Sequence, residues 1–176
     1  MMAAYLLMVL GVLSRVVPFP GMNFTAEGAS LLYFGARRPL REMALPMLAF
    51  MGTDVYLTIF AYHYPWHTSS YLVTWAWYAA VLVLGRILLR KQVTVTRVLS
   101  ASVLASTSFF LISNYAVWVG SVLYPHTLAG LGACYAAALP FYRNDLLSTT
   151  LITVVAFGVP AMVAKMTEHR AQKMAA

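Results

Sequence analysis

Long apolar runs alternate with short polar interruptions along the chain, and the runs have the length of membrane-spanning helices. A helix needs about 20 predominantly apolar residues to cross a bilayer, and six segments approach that length. These candidate spans lie near residues 1–17, 24–36, 42–62, 71–89, 98–121 and 144–165. The pattern therefore predicts an all-α membrane protein with six transmembrane helices.

Two of the apolar segments are ambiguous. Residues 24–36, FTAEGASLLYFGA, are short for a span and contain Glu27, so hydropathy alone also allows a re-entrant segment. Residues 127–142, TLAGLGACYAAALPFY, are apolar enough to be counted as a seventh span. We expect this stretch to form an extra short outer helix or half-helix near 127–140. Pro140 should break it, and its small residues would let it pack closely against its neighbours.

Composition supports the membrane class. Of the 176 residues, 61% are apolar and 10% are charged, and the mean hydropathy is +0.75, whereas soluble domains carry about 25% charged residues. So little polar sequence separates the runs that no separate soluble domain fits. We therefore expect a single transmembrane helical domain over residues 1–165 and a cytoplasmic C-terminal tail over residues 166–176.

The basic residues fall unequally on the two sides of this arrangement. With six spans and a cytoplasmic N-terminus, ten of the 12 basic residues lie inside, as the positive-inside rule expects. They are Arg37, Arg38, Arg41, Arg86, Arg90, Lys91, Arg97, Lys165, Arg170 and Lys173. A seventh span at 127–142 would weaken the split to eight against four. The sequence thus predicts a multi-pass protein of the bacterial inner membrane with both termini in the cytoplasm.

The inner basic loops have two possible partners. Their ordinary role is contact with the anionic headgroups of membrane lipid, and the alternative is a docking surface for a protein. The net charge of +7 does not indicate nucleic-acid binding, because no basic helix face or aromatic RNA-binding motif accompanies it.

Polar side chains interrupt the apolar spans at one predicted depth, toward the outer side. Four helices and one loop supply them, which is the arrangement of a pocket that holds a small-molecule ligand by a few polar groups and aromatic rings. The candidate ligand-binding residues are Arg15, Asn23, Thr25, Glu27, Asp54, Asn114, Trp118 and Tyr135.

Each of these residues also has a structural interpretation. Arg15 with Asp54 or Glu27 would form an ion pair that neutralises charge, because an isolated charge at the bilayer centre costs at least about 2.5–3.5 kcal/mol. The Asn114 amide would bond the backbone of another helix. Trp118 lies one turn above Asn114 and would share its face or join an interfacial aromatic belt.

Asn144 and Asp145 open the last span and belong to the same outer polar group. They follow PFYR and also resemble an N-terminal helix cap for that span. Trp75 and Trp77 fit the aromatic belt.

No catalytic or metal motif emerges from the sequence. His63 and His67 have the spacing of metal ligands on a helix, but Pro65 lies between them and no third ligand is near. The chain has no Gly-rich phosphate loop and no nucleophile with a neighbouring base. We therefore expect neither an enzyme nor a bound cofactor or metal, and ATP hydrolysis by this chain alone is excluded.

Several segments resemble a family of small, functionally uncharacterised bacterial membrane proteins. The matching pieces are RVVPFPGMNFTAEGA (15–29), Pro46 with Asp54, SFFLISNYAVWV (108–119), YPHTLAGLGACYAAALPFYRN (124–144) and FG (157–158). Together these pieces cover most of the chain. The resemblance implies a multi-span membrane protein and assigns no activity.

In size, six-span layout and basic inner loops, the chain is also similar to the S components of energy-coupling-factor (ECF) transporters. This similarity implies an outward-facing pocket for a vitamin or similar molecule. It also implies partners, namely a transmembrane coupling subunit and two ATPases. Coupling contacts in that family use small-residue helix faces, for which AAYLLM and the stretch around Ala101 and Ala105 are the candidates.

Three functions follow as hypotheses. The first is a membrane-embedded substrate-binding subunit of a small-molecule, vitamin-like importer. The second is an accessory or assembly subunit of a larger membrane complex, in which the polar groups would be interhelical bonds. The third, a tryptophan-rich sensory-type porphyrin-binding protein, rests on size and aromatic content alone.

Overall fold

The computed structural model describes residues 2–17, 23–66, 68–120 and 122–175. Its helices are α1 (Met2–Val16), α2 (Glu27–Arg37), α3 (Ala44–Tyr56), α4 (Thr68–Leu89), α5 (Val95–Gly120) and α6 (Leu128–Ala175). A 3-10 turn, Leu40–Glu42, precedes α3, and a π-helical turn, Leu57–Ala61, continues it. No strand occurs in the described part of the chain, so the predicted all-α class is confirmed.

Four helical segments are long and apolar enough to cross a membrane, which indicates a membrane-embedded protein. They are Leu40–Ala61, Tyr71–Leu89, Val95–Gly120 and Leu128–Arg170. Helix α1 is apolar but has 15 residues, and α2 has 11. Since α2 rises only about 16 Å at 1.5 Å per residue, it is too short to span a bilayer by itself. The predicted count of six spans is therefore not confirmed.

Helix α2 lies at the centre of the bundle. It packs against α1, α4, α5 and α6, and every residue from Gly28 to Ala36 is buried. Its approach to α4 is close because glycines face backbone at two positions: a Cβ on Gly35 would overlap the Leu82 carbonyl, and one on Gly85 would overlap the Leu32 carbonyl. These reciprocal contacts fix how the two helices cross.

Helix α6 is the largest departure from the sequence prediction. It runs unbroken for 48 residues with Pro140 and Pro160 inside it, a length of about 72 Å. The predicted break at Pro140 is wrong, and so is the predicted cap at Asn144 and Asp145, which lie mid-helix. Proline is tolerated in membrane helices where neighbouring helices support the freed backbone groups, and here α5 packs along α6.

The residues predicted for the inner side gather at one end of the bundle. There Arg38 bonds Glu42 at 2.6 Å and the Tyr5 hydroxyl at 2.8 Å, and the Arg86 guanidinium donates to the Arg38 carbonyl at 3.5 Å. Arg37 lies 5.1 Å from the Phe157 ring. These contacts hold the first, second, fourth and last helices together at this end. Beyond it, α6 continues as an exposed helix.

Candidate ligand-binding site

Arg15, near the end of α1, is the centre of a closed polar network. Its guanidinium forms ion pairs with Glu27 at 2.7 Å and with Asp54 at 2.6 Å. It also donates to the Thr53 hydroxyl at 3.2 Å and to the Tyr78 hydroxyl at 2.8 Å. The ion pairs that the sequence suggested as a structural role for these charges are therefore confirmed.

Asp54 is fully engaged by its neighbours. It lies on α3 with 3% of its side chain exposed. The Trp75 indole donates to Oδ2 at 2.9 Å, and the Tyr78 hydroxyl lies 3.1 and 3.2 Å from the two oxygens. Together with Arg15, these donors contact both oxygens of the carboxylate.

Aromatic rings pack over the network on its α4 side. Trp66 stacks on Tyr71 with ring centroids 4.4 Å apart, and both rings lie near Trp75. Trp77, on the opposite face of α4, is 5% exposed and donates to Ser108 at 3.1 Å. Interfacial belt residues face lipid and headgroups, so the belt interpretation is wrong for Trp77, and for Trp75 it misses the bond to Asp54.

A second polar cluster lies between α5 and α6 and surrounds a cavity of about 130 Å³. We call it the α5–α6 cavity. Its polar lining residues are Asn23, Ser106, Ser113, Asn114, Tyr142 and Asp145, and its apolar ones are Phe109, Phe110, Ala138 and Phe141. The two long helices thus supply nine of its ten lining residues, and only Asn23 comes from the segment before α2.

The polar groups of the α5–α6 cavity are less completely paired than those of the network. Ser106 is 1% exposed, and its hydroxyl is the buried side-chain group of the described residues that has no hydrogen-bond partner. Asp145 accepts from the Thr149 hydroxyl at 3.4 Å and forms no ion pair within the described residues. Unpaired polar groups in a low-dielectric interior are costly, so this cavity is where a ligand would gain most.

One family comparison gives a match. The sequence profile of a family described as a family of unknown function, DUF6580, matches residues 1–173. The chain belongs to the DUF6580 family. This agrees with the resemblance to an uncharacterised family that the sequence suggested. No curated protein and no solved structure matches the chain, so the likeness to S components stays an expectation.

In this DUF6580 member the residues predicted to bind a ligand divide into separate groups. Arg15, Glu27 and Asp54 form the network, whereas Asn23 and Asn114 line the cavity. The Asn114 amide nitrogen donates to the Phe110 carbonyl of its own helix at 2.7 Å, so it does not bond another helix through that nitrogen.

The remaining predicted residues lie outside the cavity lining. Thr25 is partly buried in the segment before α2. The Trp118 indole donates to the Pro125 carbonyl at 3.0 Å, and the Tyr135 hydroxyl donates to the Leu111 carbonyl at 2.6 Å. These bonds brace the hairpin that α5 and α6 form beyond the cavity.

The described part of this DUF6580 chain shows no cluster of the kind that binds a transition metal. It contains no group of three or more His, Cys, Asp or Glu residues placed to hold a metal ion. His63 lies in the α3–α4 connection with a φ of 55°, and His67 lies outside the described residues. His126 packs edge-on against Trp118 at 5.5 Å.

The sequence analysis missed Ser106, Ser113, Tyr142 and Asp145 as site residues. A signal for them exists in the spacing. Ser106 and Ser113 are seven residues apart, two helical turns, and Tyr142 and Asp145 are three apart, so each pair lies on one helix face. Because Asp145 was interpreted as a helix cap, its place on the same helix face as Tyr142 was not recognised.

Proposed function

We propose that this protein is the substrate-binding subunit of a small-solute importer in the bacterial inner membrane. The observation that carries the proposal is the α5–α6 cavity, a space between two helices lined by a carboxyl group with no ion-pair partner among the described residues and by a buried hydroxyl with no hydrogen bond of normal geometry. Ionisable groups inside membrane helices either pair with one another or line substrate and ion pathways. The cavity of about 130 Å³ is smaller than the roughly 300–1,000 Å³ of drug-sized sites, which favours a solute smaller than a vitamin.

An importer of this kind takes its energy from partners. We propose that a transmembrane coupling subunit and ATPases bind this chain, because it has no phosphate-binding loop of its own. The basic end around Arg38 and Arg86 would face the cytoplasm under the positive-inside rule, with both termini on that side. The opening of the cavity would then be reached from outside.

One observation favours the accessory-subunit alternative. The network around Arg15 is closed, as interhelical bonds in an assembly subunit would be. In that function the α5–α6 cavity would hold only water, which needs polar partners and about 30 Å³ per molecule. The test below separates the two functions.

The test compares bound solute and partners in three proteins purified in mild detergent: wild type, Asn114→Leu and Tyr115→Leu. Tyr115 is the control because it neighbours Asn114 on α5, is exposed and does not line the cavity. Native mass spectrometry detects partner subunits. Mass spectrometry and ion chromatography of denatured samples identify released solute.

We expect wild type and Tyr115→Leu to release the same solute, and Asn114→Leu to release none while keeping its melting temperature. A wild-type protein that carries no solute and copurifies in a stable complex without ATPases would overturn the importer proposal. Solute that survives the Asn114→Leu substitution unchanged would also count against this cavity as the site.

A further inference from the structure

The interior of the bundle holds more acidic than basic side chains. Three carboxyl groups lie there, Glu27, Asp54 and Asp145, and one guanidinium, Arg15, pairs with the first two. Among the described residues no basic side chain pairs with Asp145. Asp145 also lies within electrostatic range of Glu27. A positive charge near Asp145 would therefore give its carboxylate a counter-charge and would offset the repulsion between Asp145 and Glu27 in their ionised forms.

The polar lining of the α5–α6 cavity presents mainly acceptors. The Ser113 hydroxyl donates its proton to the Phe109 carbonyl at 2.6 Å, which leaves its oxygen free to accept. The Asn114 nitrogen donates one of its two hydrogens to the Phe110 carbonyl at 2.7 Å, and its amide oxygen is an acceptor. With the Asp145 carboxylate, these groups are ligands for a hard cation or for N–H donors, and not for an anion.

Ser106 is a second and independent indication of a ligand. Its oxygen is buried without a hydrogen bond of normal geometry, lines the cavity and lies close enough to the Asp145 carboxyl group to interact with it. A buried hydroxyl without a hydrogen bond destabilises the folded protein unless a ligand or a water bonds to it. A ligand that Asp145 attracts into this space would be placed to bond Ser106 as well.

Charge and size limit the ligand further. One carboxylate without a second acid or a histidine beside it is too little for a divalent metal, and the described residues contain no such cluster. A volume of about 130 Å³ is equivalent to about four waters. The rings of Phe109, Phe110 and Phe141 form the apolar part of the wall.

We propose that the α5–α6 cavity binds a small monovalent cation, an alkali ion or an ammonium-type ion. Asp145 is its charged ligand, and the oxygens of Ser106 and Asn114 are neutral ones. This inference rests on the proposed function, because it names the chemical class of the solute that the importer takes.

The experiment measures thermal stability of the full-length protein in nanodiscs. Sodium, potassium, ammonium and methylammonium chlorides are titrated in separate series against N-methyl-D-glucamine chloride, a cation too large for the cavity, at constant ionic strength. We expect at least one small cation to raise the melting temperature in a saturable way, with an apparent affinity confirmed by calorimetry. Saturation by sodium or potassium alone assigns an alkali ion, and saturation by ammonium or methylammonium alone assigns an ammonium-type ion.

Variants locate the binding. Asp145→Asn should weaken the apparent affinity at least tenfold, and Ser106→Ala should weaken it several-fold. Glu168→Gln is the matched control, since it removes an equal charge from the exposed C-terminal part of α6, and its affinity should stay within twofold of wild type. If Asp145→Asn does not fold, Ser106→Ala and Asn114→Leu carry the comparison.

Two results would overturn the inference. One is that no small cation raises the melting temperature more than N-methyl-D-glucamine does, and the other is that Asp145→Asn binds the small cation as tightly as wild type. Failure of the importer proposal has another signature. The protein could bind a cation in a way that depends on Asp145 and still copurify with no ATPase and support no uptake by cells. That result would confirm the cation site and contradict the transport function.

Discussion

Two polar clusters lie inside the same apolar bundle, and they differ in how fully their polar groups are hydrogen-bonded. In the network, Arg15 bonds four side chains, Glu27, Thr53, Asp54 and Tyr78. In the α5–α6 cavity, Ser106 bonds none. The comparison shows that polar residues in a membrane helix do not by themselves mark a binding site. Paired polar groups hold helices together, and unpaired ones beside a space are available to a ligand.

The clusters also differ in which helices they join. The network connects α1, α2, α3 and α4 through side chains from each. The cavity lies mainly between α5 and α6, whose hairpin is also held by a bond between the Thr107 and Tyr142 hydroxyls at 2.9 Å. Changes in the network should therefore affect folding, and changes in the cavity should affect binding.

The largest expected effect is from Arg15→Met. It leaves Glu27 and Asp54 buried without a counter-charge, and breaking a buried ion pair by removing one partner costs about 3–5 kcal/mol. We expect a large drop in melting temperature in detergent. A melting temperature within a degree or two of wild type would show that the network does not hold the bundle together.

Asp54→Asn should have a smaller effect of the same sign. It keeps the shape and one acceptor oxygen for Trp75 or Tyr78 but removes the charge paired with Arg15, and hydrogen bonds to charged groups are worth about 1.5–3 kcal/mol. Equilibrium unfolding in mixed micelles measures the loss. Tryptophan fluorescence should also shift, because the Trp75 indole bonds this carboxylate; an unchanged spectrum would contradict the assigned bond.

Gly28→Ala tests the contact that joins the two clusters. A Cβ on Gly28 would lie 2.7 Å from the Thr149 hydroxyl oxygen, and Thr149 donates to Asp145. Overpacking of this kind costs about 1–3 kcal/mol, and rotation of the Thr149 side chain away from the new Cβ would lower that cost. We expect modest destabilisation together with altered cation affinity. Gly132→Ala is the control, because its Cβ would meet no atom within 4 Å.

Ser106→Ala should have the smallest effect on stability. The substitution removes a buried hydroxyl that has no hydrogen bond of normal geometry, so we expect a free energy of unfolding equal to that of wild type or higher by at most about 1 kcal/mol. The contrast with Asp54→Asn is the point of the measurement. Clear destabilisation by Ser106→Ala without added cation would mean that the hydroxyl has a structural bond.

Part of the candidate site could be predicted from the sequence. Placing Arg15, Glu27 and Asp54 at one depth required only helix length and direction, and opposite charges in an apolar medium must find each other. The separation of Asn114 from that group could not be predicted. It depends on the rotation of α5 about its axis relative to the other helices, and small polar residues such as Ser106 and Ser113 mark a face of α5 without showing which helix that face meets.

The sequence by itself determined the class of protein: apolar runs predicted helices, and basic residues predicted which helix ends gather together. Both predictions rest on contributions that each residue makes separately, namely the transfer of its side chain into hydrocarbon and its charge near the headgroups. They therefore do not require knowledge of which helices pack together. The tertiary structure alone decided that α2 is a short central helix, that α6 continues through Pro140, and that Asp145 faces a cavity. Those outcomes depend on how closely the backbones of α2 and α4 approach at Gly35 and Gly85 and on the packing of α5 against α6. Both are properties of pairs of helices, which the sequence of one helix does not show.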